Sequence, residues 1–277
     1  MGDLETQAWA VVLAGGKGVR LRGLTRHVYG EDRPKQYAAL TGGKSLLRQT
    51  LERVSLRIPS SRTVVVTMAA QQSYLAAEFG HDSPGPHVLQ QPEDRGTAAA
   101  VLLAAHWIRA RDSEARLVVL PSDHFVADDG LFMAHVVEVL NVLEAQPERI
   151  ILLGAEPTEP ETDYGWIELG PTLPGAGRHP VYRVLRFQEK PAQAIADELF
   201  GSGALWNTSV FAGRAAAYLH SMSGSPGSRP SSGPNTSSGP CGKPTSLHRE
   251  PTSLGTCWSV PPRRSPSCDC PRWLGVT

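Results

Sequence analysis

Three glycines lie within four residues directly after an apolar run near the start of the chain. The run Trp9–Ala14 leads into Gly15–Gly18, and Arg20 follows two residues later. Glycine lets the backbone approach a polyphosphate with its N–H groups turned inward, and a guanidinium adds a fixed cationic fork. Lys35, within Arg33–Gln36, supplies a second cation. The segment predicts a phosphate-binding loop; the alternative is a tight turn with solvated charges.

Two familiar phosphate motifs do not fit this chain. A dinucleotide pattern G-x-G-x-x-G starting at Gly16 would place Leu21 at its last glycine. A P-loop ending in Gly43–Ser45 would need a glycine where the chain has Ala38. We therefore interpret residues 43–45 as a turn before a helix.

A carboxylate follows a second buried apolar run. Asp123 comes directly after Leu117–Pro121 and Ser122. A carboxylate at the end of a strand, beside phosphate oxygens, suits a hard cation such as Mg2+. The alternative is an aspartate that caps a helix or closes a turn.

These candidate groups follow elements that alternate along the chain. Apolar, β-branched runs predict strands at Trp9–Ala14, Thr63–Thr67, His87–Gln90, Leu117–Pro121 and Ile150–Gly154. Helical spacing predicts helices at Ser45–Arg57, Ala69–Phe79, Thr97–Arg111 (capped by Thr97) and Leu131–Ala145. The alternation predicts an α/β fold with a mainly parallel sheet and helices on both faces. Ligands of such sheets bind at the carboxyl ends of the strands, where these loops gather.

The pattern changes after residue 154 and again after residue 220. Shorter strand-like pieces at Gly165–Leu169, Tyr182–Gln188 and Ser209–Ala212 predict a small mixed lobe over about 155–212. Residues 221–277 hold 13 Ser, 10 Pro and 7 Gly among 57 residues. This composition interrupts every window in which an element could start. We expect a folded unit over 1–220 and a disordered tail over 221–277.

The tail also carries every cysteine, at Cys241, Cys257, Cys268 and Cys270. Their spacing contains no pair of C-x2-C knuckles, which disfavours a zinc site. A disulfide framework is disfavoured if the protein is cytoplasmic, because that compartment is reducing.

The charge of the chain is balanced, with 27 lysines and arginines against 27 aspartates and glutamates. This balance disfavours a nucleic-acid or membrane partner that is attracted by overall basic charge. The apolar runs are too short to span a bilayer, and Asp3 and Glu5 lie where a signal peptide would be basic. We expect a cytoplasmic protein. The oligomeric state stays open, with a homo-oligomer among the alternatives.

Six segments in a fixed order resemble the sugar-nucleotide pyrophosphorylases, particularly the mannose-1-phosphate guanylyltransferases. They are the Leu13–Leu21 loop with Arg33–Gln36, then Gln91–Ala98, Leu120–His124, Tyr164–Glu168, Phe187–Pro191 and Trp206–Phe211. The resemblance implies a nucleotide-diphospho-sugar transferase fold. It also implies transfer of a nucleotidyl group from GTP to mannose 1-phosphate, with Mg2+ as cofactor and GDP-mannose and pyrophosphate as products.

The resemblance implies a role for each matching residue. The catalytic set is Arg20, Lys35, Asp123 and Lys190, with Asp123 as metal ligand. The nucleotide-binding set is Leu13, Ala14, Gly15, Gly16, Gly18, Arg20, Lys35, Gln91, Gly96 and Thr97. The sugar-phosphate set is Gly165, Glu189, Lys190 and Asn207. Arg95 is left between a phosphate contact and a solvated position, and Trp206 and Phe211 are interpreted as core residues.

Two departures keep other functions open. Val19 stands where the family usually has threonine, and residues 221–277 offer no match to the segment that carries the second metal carboxylate. The alternatives are a catalytically impaired nucleotide-binding or regulatory homologue, a pyrophosphorylase for another sugar 1-phosphate or nucleotide, and an unstable product with an altered C-terminal sequence.

Overall fold

The computed structural model describes residues 7–40, 43–79, 85–173, 180–222 and 256–260. Its strands are β1 Trp9–Leu13, β2 Thr63–Met68, β3 His87–Gln91, β4 Arg116–Pro121, β5 Ile150–Ala155, β6 Gly165–Thr172, β7 Val181–Glu189, β8 Leu205–Arg214 and β9 Thr256–Val260. Its helices are α1 Arg22–Tyr29, α2 Leu46–Ser55, α3 Gln72–Phe79, α4 Gly96–Arg109, α5 Asp129–Ala145, α6 Gln193–Gly201 and α7 Ala215–Met222. Within these ranges, none of the helices combines the length and apolarity that crossing a bilayer requires.

Four strands form a parallel core in the order β3-β2-β1-β4. Every residue of β2 is buried, and β1 and β4 are buried except at their last residue. Strands buried on both faces favour continuous β-branched runs, such as the three valines of β2. The predicted parallel sheet is confirmed for this core.

Helices cover both faces of the core, as predicted. On one face α2 and α5 contribute Leu47 and Val136 to an apolar layer. On the other face α4 and α7 contribute Val101 and Tyr218. Burial of these layers is the main source of stability for a sheet of this kind.

The sheet continues beyond β4 as a mixed half. β8 lies antiparallel between β4 and β5, so these two strands do not pair directly. The sheet then ends in an antiparallel β6–β7 pair, and β6 also pairs with the start of β8. A third apolar cluster, which includes Trp166, Leu199 and Trp206, packs α6 against this half. This half contains the residues of the predicted lobe at about 155–212, together with β5 and β9, which lie largely outside that range.

The tail contributes one strand to the part of the chain that the structure describes. β9 lies parallel to β5 and antiparallel to β7, and so joins these two strands. This strand was not predicted from the sequence. The rest of the expected disordered segment 221–277 lies outside the described residues, apart from the last two residues of α7, and so do the cysteines other than Cys257.

Candidate active site

A cleft of about 890 Å³ lies between the parallel core and the mixed half of the sheet. The carboxyl ends of β1, β3 and β4 form one wall, and β6, β7 and β8 form the other. All of the predicted site residues except Ala14 and Gly18 line it. These lining residues are Leu13, Gly15, Gly16, Arg20, Lys35, Gln91, Gly96, Thr97, Asp123, Gly165, Glu189, Lys190 and Asn207.

The two exceptions support the glycine-rich loop from behind. Ala14 is fully buried, and its N–H donates to the Val66 carbonyl at 2.8 Å. Gly18 has a left-handed backbone, with φ of 59°. A Cβ at Gly18 would lie 2.7 Å from the backbone nitrogen of Lys35. Glycine is therefore required at residue 18 for the turn and for close packing on the Lys35 segment.

Two buried glutamines hold the carbonyl groups of this loop. The Gln36 Nε2 donates to the Ala14 carbonyl at 2.7 Å and to the Gly16 carbonyl at 2.9 Å. The Gln71 Nε2 also donates to the Gly16 carbonyl, at 3.0 Å. Neither glutamine was predicted from the sequence to have a role. The only signal for Gln36 was its place next to Lys35 in a motif segment.

Two cationic side chains and one carboxylate lie near the glycine-rich loop. Arg20 is exposed on the cleft wall, and the half-buried Lys35 Nζ forms an ion pair with the Asp123 carboxylate. Lys35 belongs to a short 3₁₀ turn, Lys35–Tyr37, that follows Pro34. Positive charge thus lies where the predicted phosphates would enter.

Asp123 is the predicted metal ligand, and its surroundings test that prediction. Among the described residues, no three His, Cys, Asp or Glu side chains are grouped as a metal site. Mg2+ commonly binds to one or two carboxylates and completes its coordination with substrate phosphates and water. The site therefore fits a cation that arrives with phosphate ligands, rather than one held by protein groups alone.

An arginine from α2 fixes the loop that follows Asp123. The Arg53 side chain is 3% exposed, and its Nε donates to the Asp129 carboxylate at 2.6 Å. One of its terminal nitrogens reaches the His124 carbonyl at 3.4 Å. Burial, with smaller contributions from Arg53 and Lys35, lowers the pKa of His124 to about 4 although Asp123 opposes the shift. The His124 ring is therefore neutral near pH 7.

The start of α4 forms the outer edge of the end of the cleft where the sequence predicts nucleotide binding. Gly96 has a left-handed φ of 79°, and its N–H donates to the Asp94 carboxylate at 3.1 Å. This N–H, followed by Lys17 at 3.4 Å, holds the pKa of Asp94 below its usual value. Thr97 does not cap the helix as predicted, because α4 already begins at Gly96.

Three predicted sugar-binding residues converge at the opposite end. A Cβ at Gly165 would lie 2.7 Å from a Glu189 carboxylate oxygen and 3.4 Å from the Asn207 Cβ. The Glu189 carboxylate and the Asn207 amide therefore both lie over the bare backbone of Gly165. This arrangement provides a hydrogen-bond acceptor and a donor next to an open surface.

Two residues that are not glycine adopt left-handed backbone at this end. Lys190 has φ of 44°, and its N–H donates to the Tyr164 carbonyl at 3.2 Å. Ser209 has φ of 54°, and its N–H donates to the Asn207 Oδ1 at 2.9 Å. Since the Asn207 oxygen is engaged in this way, its NH2 group is left as a donor.

Aromatic side chains pack behind these residues. Trp206 is buried, and its ring meets the Tyr164 ring edge-on at 4.9 Å between centroids. Its interpretation as a core residue is confirmed. Phe211 packs on the second apolar layer but also lines the cleft, so the core interpretation describes only part of its surroundings.

Comparisons with known proteins identify the family of this chain. The family model described as nucleotidyl transferase matches residues 9–227. The xanthan biosynthesis protein XanB of Xanthomonas campestris pv. campestris is 34% identical over 214 residues, which cover 76% of this chain and 43% of that protein. A mannose-1-phosphate guanylyltransferase of Escherichia coli is 31% identical over 223 residues, covering 79% of this chain and 45% of that protein. The chain thus spans less than half the length of these curated relatives.

Solved structures share the fold. A protein of Thermus thermophilus described as a mannose-1-phosphate geranyltransferase superposes with a TM-score of 0.66 at 39% identity, covering 78% of this chain and 59% of that one. A glucose-1-phosphate thymidylyltransferase of Bacillus anthracis gives a TM-score of 0.55 at 16% identity over 79% of this chain and 76% of its own, which supports the fold alone. The family model covers most of this chain, and the chain belongs to the nucleotidyl transferase family.

Proposed function

We propose that this protein transfers a nucleotidyl group from GTP to mannose 1-phosphate, forming GDP-mannose and pyrophosphate. The observation that carries the proposal is that one cleft joins the phosphate loop to the Gly165, Glu189 and Asn207 cluster. The choice of GTP and mannose 1-phosphate is supported by relatives described as mannose-1-phosphate guanylyltransferases at 31% and 32% identity.

The reaction needs charge stabilisation more than proton transfer. An oxygen of the sugar phosphate attacks the α-phosphorus and forms a new P–O bond. The bond from the α-phosphorus to the bridging oxygen breaks, and its electron pair leaves with pyrophosphate. The attacking oxygen is already anionic, so no strong base is required. Cations of the cleft would lower the repulsion between the two anions, with Arg20 and Lys35 at the nucleotide end and Lys190 at the sugar end.

The remaining cleft residues would orient the substrates. Gln91 can donate to and accept from a purine edge, and Gly96 and Thr97 form the start of α4 beside it. Glu189 and Asn207 would bind sugar hydroxyls over Gly165. Asp123 would hold Mg2+, which when bound neutralises phosphate charge.

The proposal is tested by incubating the protein with GTP, mannose 1-phosphate and Mg2+ while measuring pyrophosphate and GDP-mannose. We expect turnover that falls by about 100-fold in Asp123→Asn, because the carboxylate charge is lost. The matched control is Asp197→Asn, an exposed aspartate on α6 whose change leaves the rate within about twofold. A preference for another nucleotide or sugar 1-phosphate in a substrate matrix would overturn the specific assignment.

A nucleotide-binding protein without turnover is the second candidate. It is favoured by the pairing of Asp123 with Lys35 and by the lack of a multi-carboxylate cluster among the described residues. Calorimetry that shows GTP binding, in a sample that releases no pyrophosphate with any sugar 1-phosphate of the matrix, would support this candidate.

A further inference from the structure

The glycine-rich loop is braced by side chains that do not face the cleft. Gln36 and Gln71 are 2% and 6% exposed. Their amide nitrogens converge on the same oxygen, the Gly16 carbonyl, at 2.9 and 3.0 Å. Gln36 also donates to the Ala14 carbonyl. An amide NH2 carries two donors and a carbonyl oxygen accepts two hydrogen bonds, so the Gln36 NH2 group and the Gly16 carbonyl are both fully used.

This bonding fixes which way the loop peptides point. A trans peptide is planar, and its carbonyl and N–H point in opposite directions. Because the Ala14 and Gly16 carbonyls point at the buried glutamines, the N–H groups of Gly15 and Lys17 point away from them. Carbonyl oxygens, which would repel a phosphate, are kept in the interior, and donors are left for the cleft.

A second layer of hydrogen bonds orients Gln71. The Thr67 hydroxyl donates to the Gln71 Oε1 at 3.2 Å, and the Tyr37 hydroxyl shares a hydrogen bond with Thr67 at 2.8 Å. Thr67 is fully buried at the end of β2. With its oxygen engaged, the Gln71 amide can present only its NH2 group to the loop.

Gln36 links the loop to a cation of the cleft. It follows Lys35 in the same 3₁₀ turn, so one turn holds the loop carbonyls and places Lys35 beside Asp123. Close packing of Gly18 on the Lys35 nitrogen adds a second contact between the two segments.

We propose that Gln36 and Gln71 are positioning residues that hold the glycine-rich loop in its phosphate-binding conformation before nucleotide arrives. The inference rests on the proposed function only in that the cleft takes a nucleoside triphosphate. It adds that the affinity for the phosphates depends on two side chains that contact no phosphate.

The test compares Gln36→Met and Gln71→Met, which keep side-chain length and lose the donors. Binding of GTP, and of inorganic tripolyphosphate as a probe without a base, is measured by calorimetry on protein shown to be folded by circular dichroism. We expect each variant to bind both probes about tenfold more weakly, as loss of one or two buried hydrogen bonds implies. The matched control is Gln72→Met, the neighbouring exposed glutamine at the start of α3, which should bind like the wild type.

Thr67→Val keeps the test decisive if one glutamine variant does not fold, and the double variant adds a further test where both single variants fold. Thr67→Val leaves both glutamines in place and frees the Gln71 amide to rotate, so we expect about two- to threefold weaker binding of both probes. Both glutamines donate to one carbonyl, so the effects of the two substitutions should not be independent. The fold-loss of affinity in the double Met variant should therefore differ from the product of the two single fold-losses.

Three results would overturn the inference. They are unchanged affinity for both probes in the folded variants, an equal loss in Gln72→Met, and a wild-type protein that binds neither probe. A wild-type protein that binds both probes but forms no nucleotide sugar with any sugar 1-phosphate would overturn the proposed function and leave this inference standing.

Discussion

The two ends of the cleft use left-handed backbone in different ways. At the end where we propose that the nucleotide binds (the nucleotide end), the residues with positive φ are glycines, Gly18 and Gly96. At the end where we propose that the sugar phosphate binds (the sugar end), they are Lys190 and Ser209. Glycine adopts this conformation without a steric penalty, whereas another residue loses about 1 kcal/mol or more. The nucleotide end therefore minimises backbone strain, and the sugar end accepts it to keep particular side chains and N–H groups in place.

Lys190 and Ser209 each contribute a group to the sugar end. Lys190 supplies a cation to the cleft, and it stands before Pro191, which further restricts its backbone. Ser209 directs its N–H at Asn207 and thereby sets the direction of that amide. Strain of this kind persists only where surrounding contacts hold it. Thr208 provides such contacts, because its hydroxyl donates to the Leu153 carbonyl at 2.5 Å and accepts from the Val210 N–H.

The largest effect on stability is expected at the nucleotide end, from Gly18→Ala. The new Cβ would meet backbone at 2.7 Å, and alanine would be held at a φ of 59°. We expect the free energy of unfolding to fall by about 3 kcal/mol, measured by urea denaturation. Gly16→Ala is the control, since a Cβ there has no neighbour within 4 Å and its stability should change little. Equal effects of the two variants would contradict the role of residue 18.

A proline in β9 should weaken the sugar end selectively. Cys257 pairs with Leu152 on one side and Tyr182 on the other, so Cys257→Pro removes a hydrogen bond from the sheet interior. We expect a loss of about 2 kcal/mol, with faster hydrogen exchange in β5 and β7 and unchanged exchange in β2.

The control for this change is Cys257→Thr, which retains the backbone N–H and suits a strand. If the proline variant exchanged like the threonine variant at β5 and β7, β9 would have no part in stabilising this half of the sheet.

Gly165→Ala should affect binding more than stability. Its Cβ would meet the flexible end of Glu189 at 2.7 Å instead of backbone, so the carboxylate can move aside. We expect the KM for mannose 1-phosphate to rise about tenfold while the KM for GTP stays within about twofold. An equal rise in both constants would show that the two ends of the cleft are not separable in this way.

Ser209→Gly should raise stability slightly. Glycine relieves the left-handed strain and keeps the N–H that binds Asn207. We expect a gain of about 0.5–1 kcal/mol in the free energy of unfolding with an unchanged KM for mannose 1-phosphate. A loss of stability in thermal unfolding would mean that the serine side chain contributes more than the strain removes.

The smallest effect concerns Asp94 at the nucleotide end. Its pKa lies below the usual value because the Gly96 N–H, and then Lys17, favour the carboxylate. Any stability from these contacts is therefore present above the ordinary pKa of an aspartate and is lost as the pH falls through the lowered pKa. In Lys17→Met we expect an NMR titration to place the pKa of Asp94 nearer the ordinary value but still below it. An unchanged titration would leave the Gly96 N–H as its only cause.

The glycine-rich loop was recognisable from the sequence because its residues are contiguous. Gly15–Gly18 follows β1 directly, and a strand followed by glycines is recognisable from local spacing alone. The buried glutamines were missed because spacing does not show which way a polar side chain turns. Arg53 was missed for the same reason, since an arginine in a helix is usually exposed and this one is almost fully buried.

The sequence predicted the sugar end less completely because its strands are irregular. The strand β8 runs over Leu205–Arg214, but only its part Ser209–Ala212 was predicted as a strand. The left-handed Ser209 and the disturbed pairing opposite Leu153 interrupt the regular alternation on which such predictions depend. β9 lies in a Ser- and Pro-rich segment, and its pairing depends on two distant strands.

The irregularity in β8 also limits how this sheet can change length. Leu153 pairs with Val210, and the next residue, Gly154, pairs with Asn207, so Thr208 and Ser209 are two extra residues on β8. Neighbouring residues of a strand face opposite sides, so an even insertion preserves which side every later residue faces. Deleting both residues would keep Asn207 towards the cleft and Trp206 towards the core. Deleting one would exchange them unless the strand formed a one-residue bulge, so a change of two residues disturbs the site least.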